Sequence, residues 1–405
     1  MSNQALHGVR VCDFTWAVAG PMMSKYLADY GAVVVKVENA KRPDVLRTLG
    51  PYKDGVADLD RSGYFAFFHS NKYSISLNLQ NSKGVEVARR LISWADVVCE
   101  NFTPGVMEKL GLDYEQIRKV RPDIIMLSSS GQGQTGPYAR VPIAGNWLVS
   151  LSGFTWVTGW PDRAPTQPFG AYNDFIAPRY GAIAILAALR YKRRTGKGQY
   201  IDLSQLEAGL QFLGPLFMDY TVNGREGERR GNSCSYAAPH GVYPCREGMW
   251  CVIAVFNDQE WQAFCRVLGT PSWTKEARFE TIDDRKRNEE ALNKLISEWT
   301  IHRTSDEVMT LMQKAGVAAG MVQNAKDLFE DPQLKYRNYY WVMEHRVIGS
   351  YAHLGQAAIL SRTPAQARMP SPCLGEHTEH VCKQFLKISN KEFEELLSEG
   401  VFVSS

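Results

Sequence analysis

Along the first third of the chain, compact apolar runs alternate with stretches whose apolar positions recur every three to four residues. GVRVCDF has strand character. PMMSKYLADY then reads as a helix opened by Pro21 and stopped by Gly31, and AVVVKVE is the next strand. The alternation continues through the strand KYSISLNL, the helix SKGVEVARRLISWA and the strands DVVCEN and DIIMLSSS. Continuous apolar strands separated by amphipathic helices predict an α/β fold, a parallel sheet covered on both faces.

Further on, an apolar helix runs to about Arg194, with Gly196 of TGKG placed as its left-handed terminator, and QYIDLSQL resumes strand character. The polar, glycine-containing stretch 223–240 marks a lobe boundary. Beyond it the pattern predicts a hairpin (GVYPC and MWCVIAV around REG) and helices near 258–268, 288–300 and 305–315. Thr304 and Glu307 are spaced as a capping box for the last of these, and the strand VAAGMV follows. After about 325 come a strand, YWVMEHRV, and two short helices.

Bulk properties narrow the function classes. A chain of 405 residues can build two lobes, and a formal charge of +3 is too small to argue for nucleic acid, although it leaves room for a local anion-binding patch. The first apolar run carries Arg10 and Asp13, so it reads as a strand and not as a secretion signal. No apolar stretch is long enough to span a membrane. Eight cysteines without a C-x-x-C pair, several inside apolar patterns, point to reduced thiols and a cytoplasmic location.

Candidate chemistry is sparse. FGAYNDFIAP, at 169–178, holds one carboxylate, Asp174, ahead of a long apolar helix. Asp174 is either an N-cap or a reactive acid; the helix starts at Asp174 itself as the cap, or at Ala177 with Pro178 in the first turn. GQGQTG (131–136) matches G-x-G-x-x-G, but Pro137 follows and no acid ends a strand some 20 residues on, so the glycines shape a loop instead of a dinucleotide site. Cys373, His377, His380 and Cys382 crowd together without convergent spacing, so no metal is expected. Cys234 and His240 share a loop with no reason to meet as a nucleophile pair. The loop 15–20 leaves a strand's C-terminal end and enters a helix, which suits an anion as well as an ordinary turn.

Six stretches, in order, carry a resemblance: VCDFTWAVAGPMMSKYLADYGAVVVKVE, SNKYSISLNL, CENFTPGVMEKLGL, SGQGQTGPY, ALRYKRRTGKGQYIDLSQLEA and LGEHTEHV. Together they resemble the family III CoA-transferases (the CaiB/BaiF family), which include formyl-CoA transferase, over about 6–382. The resemblance implies a CoA-binding parallel α/β large domain from 1–222, a small domain from 223–325, and a return to the large domain from 326–405. It also implies interlocked subunits, as a homodimer or a heteromer with a related chain. It places the family's catalytic acid on Asp174, which would attack an acyl-CoA thioester and pass through acyl-anhydride and aspartyl-CoA intermediates. Coenzyme A thioesters and carboxylic acids are then the substrates, with no metal. Val18, Ala19, Leu77, Asn78, Asn101, Phe102 and Thr103 match CoA-contacting positions, and Lys109 a phosphate-contacting one. Arg47 and Arg140 are further candidates for the anionic ligand.

Departures from the family pattern bear on the substrate. Val18 replaces a Gln and Asn39 an Arg of formyl-CoA transferase, and GNSCSYAAPHG stands where that enzyme has a mobile glycine-run loop. Fewer polar groups near the acyl site imply an acid larger and less polar than formate or oxalate, with Trp16, Phe154, Trp156 and Trp160 as candidate walls; succinyl-CoA is a reasonable donor and an aromatic or arylalkyl acid a reasonable acceptor. Two rival functions share the fold. A 2-methylacyl-CoA racemase needs a partner base for its aspartate, yet no His occurs between His69 and His240. A CoA-binding subunit of a heteromeric transferase is the other.

Overall fold

The structure, a computed structural model, describes residues 4–403 and divides into two compact units. The larger takes in the described residues up to Thr155, then Gln167–Glu226, and the chain from Tyr336 onward; the smaller comprises Trp156–Thr166 and Gly227–Lys335. The small unit therefore runs past 325 and includes a stretch that the sequence pattern assigns to the large domain. Hydrogen bonds explain that assignment. Trp156 Nε1 donates to the Gly227 carbonyl (3.0 Å), the Gly231 amide donates to Gly159 O (2.8 Å), and the Arg229 guanidinium donates to the carbonyls of Trp156 and Trp160.

In the large unit, β1 (Arg10–Asp13), β2 (Val33–Glu38), β3 (Lys72–Ser76), β4 (Val97–Glu100), β5 (Ile125–Ser130) and β6 (Gln199–Ser204) form one parallel sheet of order β3-β2-β1-β4-β5-β6. The period of two divides its side chains between two cores. Cys12, Val35, Val98 and Met126 pack with Val87 and Leu91 of the helix Ser82–Trp94. On the opposite face Val11, Val34, Val97 and Leu127 pack with Met23 and Leu27 of the helix Ala19–Asp29 and with Ile185 of the helix Tyr172–Thr195. This is the doubly covered parallel sheet that the apolar pattern predicts.

The strand order fixes where a ligand can sit. β1 and β4 are neighbours, and the chain leaves them toward opposite halves of the sheet, which opens a crevice at their C-terminal ends. The segments entering that crevice are 14–18 after β1 and 101–105 after β4. GQGQTG follows β5 instead, and there Asp202 of β6 accepts the Gln134 amide (3.0 Å), so the glycine loop is tied to its own sheet edge.

The small unit carries an antiparallel sheet of β7 (His240–Pro244), β8 (Trp250–Ala254) and β9 (Ala318–Met321). Helices Asp258–Val267, Glu289–Thr300 and Ser305–Lys314 cover it, and Trp261, Phe264, Leu292 and Ile296 fill the core between. The Thr304–Glu307 capping box forms as its spacing requires. His377 and His380, crowded in sequence, are occupied in the large unit: His377 Nδ1 accepts the Ser74 amide (3.3 Å), and His380 stacks on Tyr73. Among the described residues no helix is long and apolar enough to cross a membrane.

Candidate active site

At the β1/β4 crevice lies a cavity of about 420 Å³. Val18 and Ala19 line it from the start of the helix Ala19–Asp29, and Asn101, Phe102 and Thr103 line it from the loop after β4. Gly145 and Leu148 of the helix Gly145–Leu151 form a further wall, and Asp174 projects into the space. Seven of the residues singled out in the sequence, Trp16 among them, thus meet around one cavity. Among the described residues, Asp174 is the only charged side chain in its lining.

The helix carrying Asp174 runs Tyr172–Thr195, with Ala171 at its N-cap and no side-chain capping bond. Both helix starts inferred from the sequence are therefore corrected. Asp174 is inside the first turn rather than capping it, and Pro178 lies within the helix. Asn173 explains the earlier start. Fully buried, it donates to Gln205 O (3.0 Å) and accepts from the Ser152 hydroxyl (3.1 Å), which pins the turn ahead of the proline. Proline has no N–H, so it cannot complete the helical bond to the Asp174 carbonyl.

No hydrogen bond reaches the Asp174 carboxylate among the described residues, and desolvation pushes it from the ordinary 3.8 up to about 7. Gly145 faces it so closely that a Cβ there would stand 2.6 Å from Asp174 Oδ2 and 2.4 Å from Ala171 Cβ. A half-buried, unpaired carboxylate facing a cavity of mixed polarity is poor as a structural element. It is well suited to attack an electrophilic carbonyl once ionised.

A second cavity, of about 500 Å³, shares Trp16, Phe102 and Thr103 with the first. Leu77 lines it as matched from the sequence, but so do Lys41 and Arg42, which the sequence reading passed over. Both are exposed, and the Arg42 guanidinium lies 5.3 Å from the Trp16 ring. Their signal was available: a basic pair directly beyond the C-terminal end of β2, where sheets of this type bind anions. Ser130, whose buried hydroxyl has no partner among the described residues, also lines the first cavity and was likewise passed over.

Other candidates lie elsewhere. Arg47 is corrected outright. It is fully buried, held by Glu38 (2.9 and 2.8 Å) and Asp60 (2.8 Å), and stacked 3.5 Å from the Phe65 ring centre, so no donor remains for an incoming phosphate. Arg47→Met would strand the buried Glu38 carboxylate and is predicted to cost about 3–5 kcal/mol of stability, measured by urea unfolding. Asn78 is engaged by the C-terminal segment, its amide donating to Val401 O and its side chain to Gly400 O. Arg140, exposed, lines a further cavity with Glu100 and Tyr200 that adjoins the first at Thr103 and Pro104. Lys109 is exposed on the short helix Val106–Lys109 and forms no ion pair among the described residues. Of the aromatic residues proposed as acyl-site walls, only Trp16 lines the Asp174 cavity. Phe154 is buried in a cluster with Val149 and Ile176, and Trp156 and Trp160 belong to the small unit.

The sequence matches CoA-transferase family III over residues 6–378. The chain belongs to that family. It is 32% identical to the Homo sapiens succinyl-CoA:glutarate CoA-transferase over 99% of this chain and 91% of that protein. It is also 32% identical to the alpha subunit of the Chloroflexus aurantiacus succinyl-CoA–L-malate CoA-transferase, over 98% of this chain and 92% of that one. A crystal structure of a CaiB/BaiF family protein from Brucella suis superposes with a TM-score of 0.87 at 32% identity, covering 95% of this chain and all of that one. As a family III CoA-transferase, the protein has acyl-CoA thioesters as substrates.

Proposed function

We propose that the protein moves CoA from succinyl-CoA to a second carboxylic acid with an apolar, aromatic or arylalkyl body, using Asp174 as nucleophile. The observation that carries this reading is the lone, unpartnered Asp174 carboxylate in the cavity at the β1/β4 crevice. The donor follows from the relatives, each named for succinyl-CoA. Apolar walls at Val141, Ile143 and Leu148 support the acceptor class, beside the polar Asn101, Thr103, Ser130 and Gln205, although the acids in the relatives' names are dicarboxylic. A mass-spectrometric screen of CoA donors against carboxylic acids tests it; transfer confined to short dicarboxylic acids would refute the apolar acceptor.

In this reading an Asp174 oxygen adds to the thioester carbonyl. The C–S bond breaks, giving a mixed anhydride and CoA thiolate. The thiolate then attacks the aspartyl carbonyl, releasing the first acid and leaving aspartyl-CoA. The incoming carboxylate displaces the thiolate to form a second anhydride, and thiolate attack on its acyl carbonyl releases the new acyl-CoA and restores Asp174. Every step exchanges one activated acyl bond for another, so excluding water conserves the thioester's free energy. Racemase chemistry needs a second acid or base beside the substrate carbon, and among the described residues the cavity lining offers none besides Asp174.

Because the nucleophile must be ionised, kcat/KM for the acyl-CoA is predicted to fall with decreasing pH below about 7, following one proton. A pH–rate profile that is flat across neutrality would contradict it. The nucleotide end of CoA is assigned to the second cavity, which Lys41 and Arg42 line together with Val106, the first residue of the helix that ends at Lys109. Arg42→Ala and Lys109→Ala should each raise KM for acyl-CoA by about 5- to 50-fold at low salt, and by less at high salt. Unchanged low-salt KM values would remove the residue concerned from the CoA site.

We assign the functional form to a homodimer or a heteromer with a related chain. Leu216, Phe217, Met218 and Tyr220 all lie exposed around the helix Gly214–Asn223, which leaves apolar surface for a second subunit to cover. Light scattering of the purified chain tests this assignment, and an active monomer would overturn it.

A further inference from the structure

The segment 15–19, which forms one wall of the Asp174 cavity, is held by an arrangement that its own sequence does not dictate. Its backbone groups are claimed one by one. The Thr15 amide donates to Asp13 Oδ1 (2.9 Å). The Trp16 amide donates to Asn101 Oδ1 (2.7 Å), and Asn101 Nδ2 donates back to Trp16 O (2.9 Å). The Ala17 amide donates to Asp44 Oδ1 (3.1 Å), and Lys36 Nζ donates to Thr15 O.

Lys36 and Asp44 are themselves an ion pair at 3.1 Å with both side chains fully buried. Asp44 also accepts the Leu46 amide (3.0 Å), which fixes its carboxylate. His69 Nε2 stands 3.7 Å from Asp44, but burial and the charges of Lys72, Lys36 and Arg47 hold that imidazole well below its usual range, hence neutral. The pair thus grips the segment at two points, a carbonyl and an amide two residues apart. Between them Ala17 has φ +59°, a left-handed conformation that a non-glycine residue adopts only when its surroundings enforce it. Beyond Ala17, the Val18 and Ala19 amides find no partner among the described residues, and no side chain caps the helix they begin.

We propose that Lys36 and Asp44 are positioning residues for the transfer reaction: they lock segment 15–19 in the strained geometry that sets the cavity wall opposite the nucleophile. This rests on the reading of Asp174 as nucleophile. Neither Lys36 nor Asp44 lines the cavity, so both act through the backbone they hold. A buried ion pair is weak evidence for stability, since apolar replacement is often neutral. Its two oriented bonds to the loop give it a use that packing alone lacks.

The test uses paired variants with two readouts, amide hydrogen exchange of a peptide spanning 14–20 and kcat per folded active site. Asp44→Asn breaks the ion pair but keeps an oxygen for the Ala17 amide, whereas Asp44→Ala removes both. The expected result is that Asp44→Ala speeds exchange in 15–18 by about tenfold or more and lowers kcat by about 30- to 100-fold, with KM for acyl-CoA changed far less. Asp44→Asn should remain within about threefold of wild type on both readouts. Ala17→Val leaves the buried cluster intact and gives a second reading should Asp44→Ala fail to fold: a β-branched residue does not tolerate the left-handed φ, so exchange in 15–18 should speed by about tenfold or more. Wild-type exchange and turnover in Asp44→Ala, or wild-type exchange in Ala17→Val, would overturn the proposal. Exchange reports the pinning independently of activity, so an inactive wild-type protein would count against the transferase reading alone.

Discussion

Asp174→Asn is expected to abolish CoA transfer, lowering kcat by about 10⁴-fold or more, while the folded protein still binds acyl-CoA. The amide keeps the shape of the side chain and removes only the nucleophilic charge. The same variant should be more stable than wild type at alkaline pH, and the sign follows from linkage. Burial raises the folded-state pKa of Asp174 from 3.8 to about 7, so the folded protein holds a proton that the unfolded chain has released. Stability from this group is present at low pH and is lost as pH rises toward about 7. Asparagine carries no such cost. The gain at pH 8 should be on the order of 1–4 kcal/mol, the upper end applying only if the cavity stays dry, and it should vanish in acid. Fresh protein is needed, since deamidation would regenerate Asp174. Denaturant unfolding at acid and alkaline pH, alongside a transfer assay, measures both effects; near-normal turnover in Asp174→Asn would end the nucleophile assignment.

The second large effect is expected at Gly145. An alanine Cβ there would meet Ala171 Cβ at 2.4 Å and Asp174 Oδ2 at 2.6 Å, far inside contact distance. Ala171 belongs to the N-cap position, and the adjacent turn is pinned by the buried Asn173, so the least constrained group is the Asp174 carboxylate itself. Displacing it by about 1 Å should cost about 10²-fold in kcat, together with about 1–3 kcal/mol of overpacking. Steady-state kinetics and thermal unfolding of Gly145→Ala check this. Wild-type kcat in the folded variant would mean that the carboxylate does not react from this position.

The sheet was legible in the sequence because its strands are buried on both faces and read as unbroken apolar runs bounded by helix signals. The left-handed stop at Gly196 (φ +74°) and the Thr304–Glu307 capping box were legible because a few local residues determine them. Asp174 stood out for a related reason, as one charge in an uncharged stretch. Its helix start was not legible, because what fixes that turn is Asn173 bonding to Gln205 and Ser152, which lie far away along the chain. Arg47 was misread because nothing local shows that Glu38 and Asp60 would enclose it. Trp156 and Trp160 were misplaced likewise, since their stretch is bonded to 227–231 across a long insertion. Lys41 and Arg42 could have been found from their place after β2. Gly145 could not, as its role exists only in the close approach of two helices.

If Asp174 itself carries the activated group, that group can be trapped on it. The protein is incubated with succinyl-CoA, quenched with hydroxylamine or borohydride, digested, and its peptides are read by mass spectrometry. A modification is expected on the peptide containing residues 169–178, located at Asp174, dependent on the acyl-CoA and absent from Asp174→Asn. A transfer-competent preparation that yields no adduct there, or yields one on another residue, would contradict it.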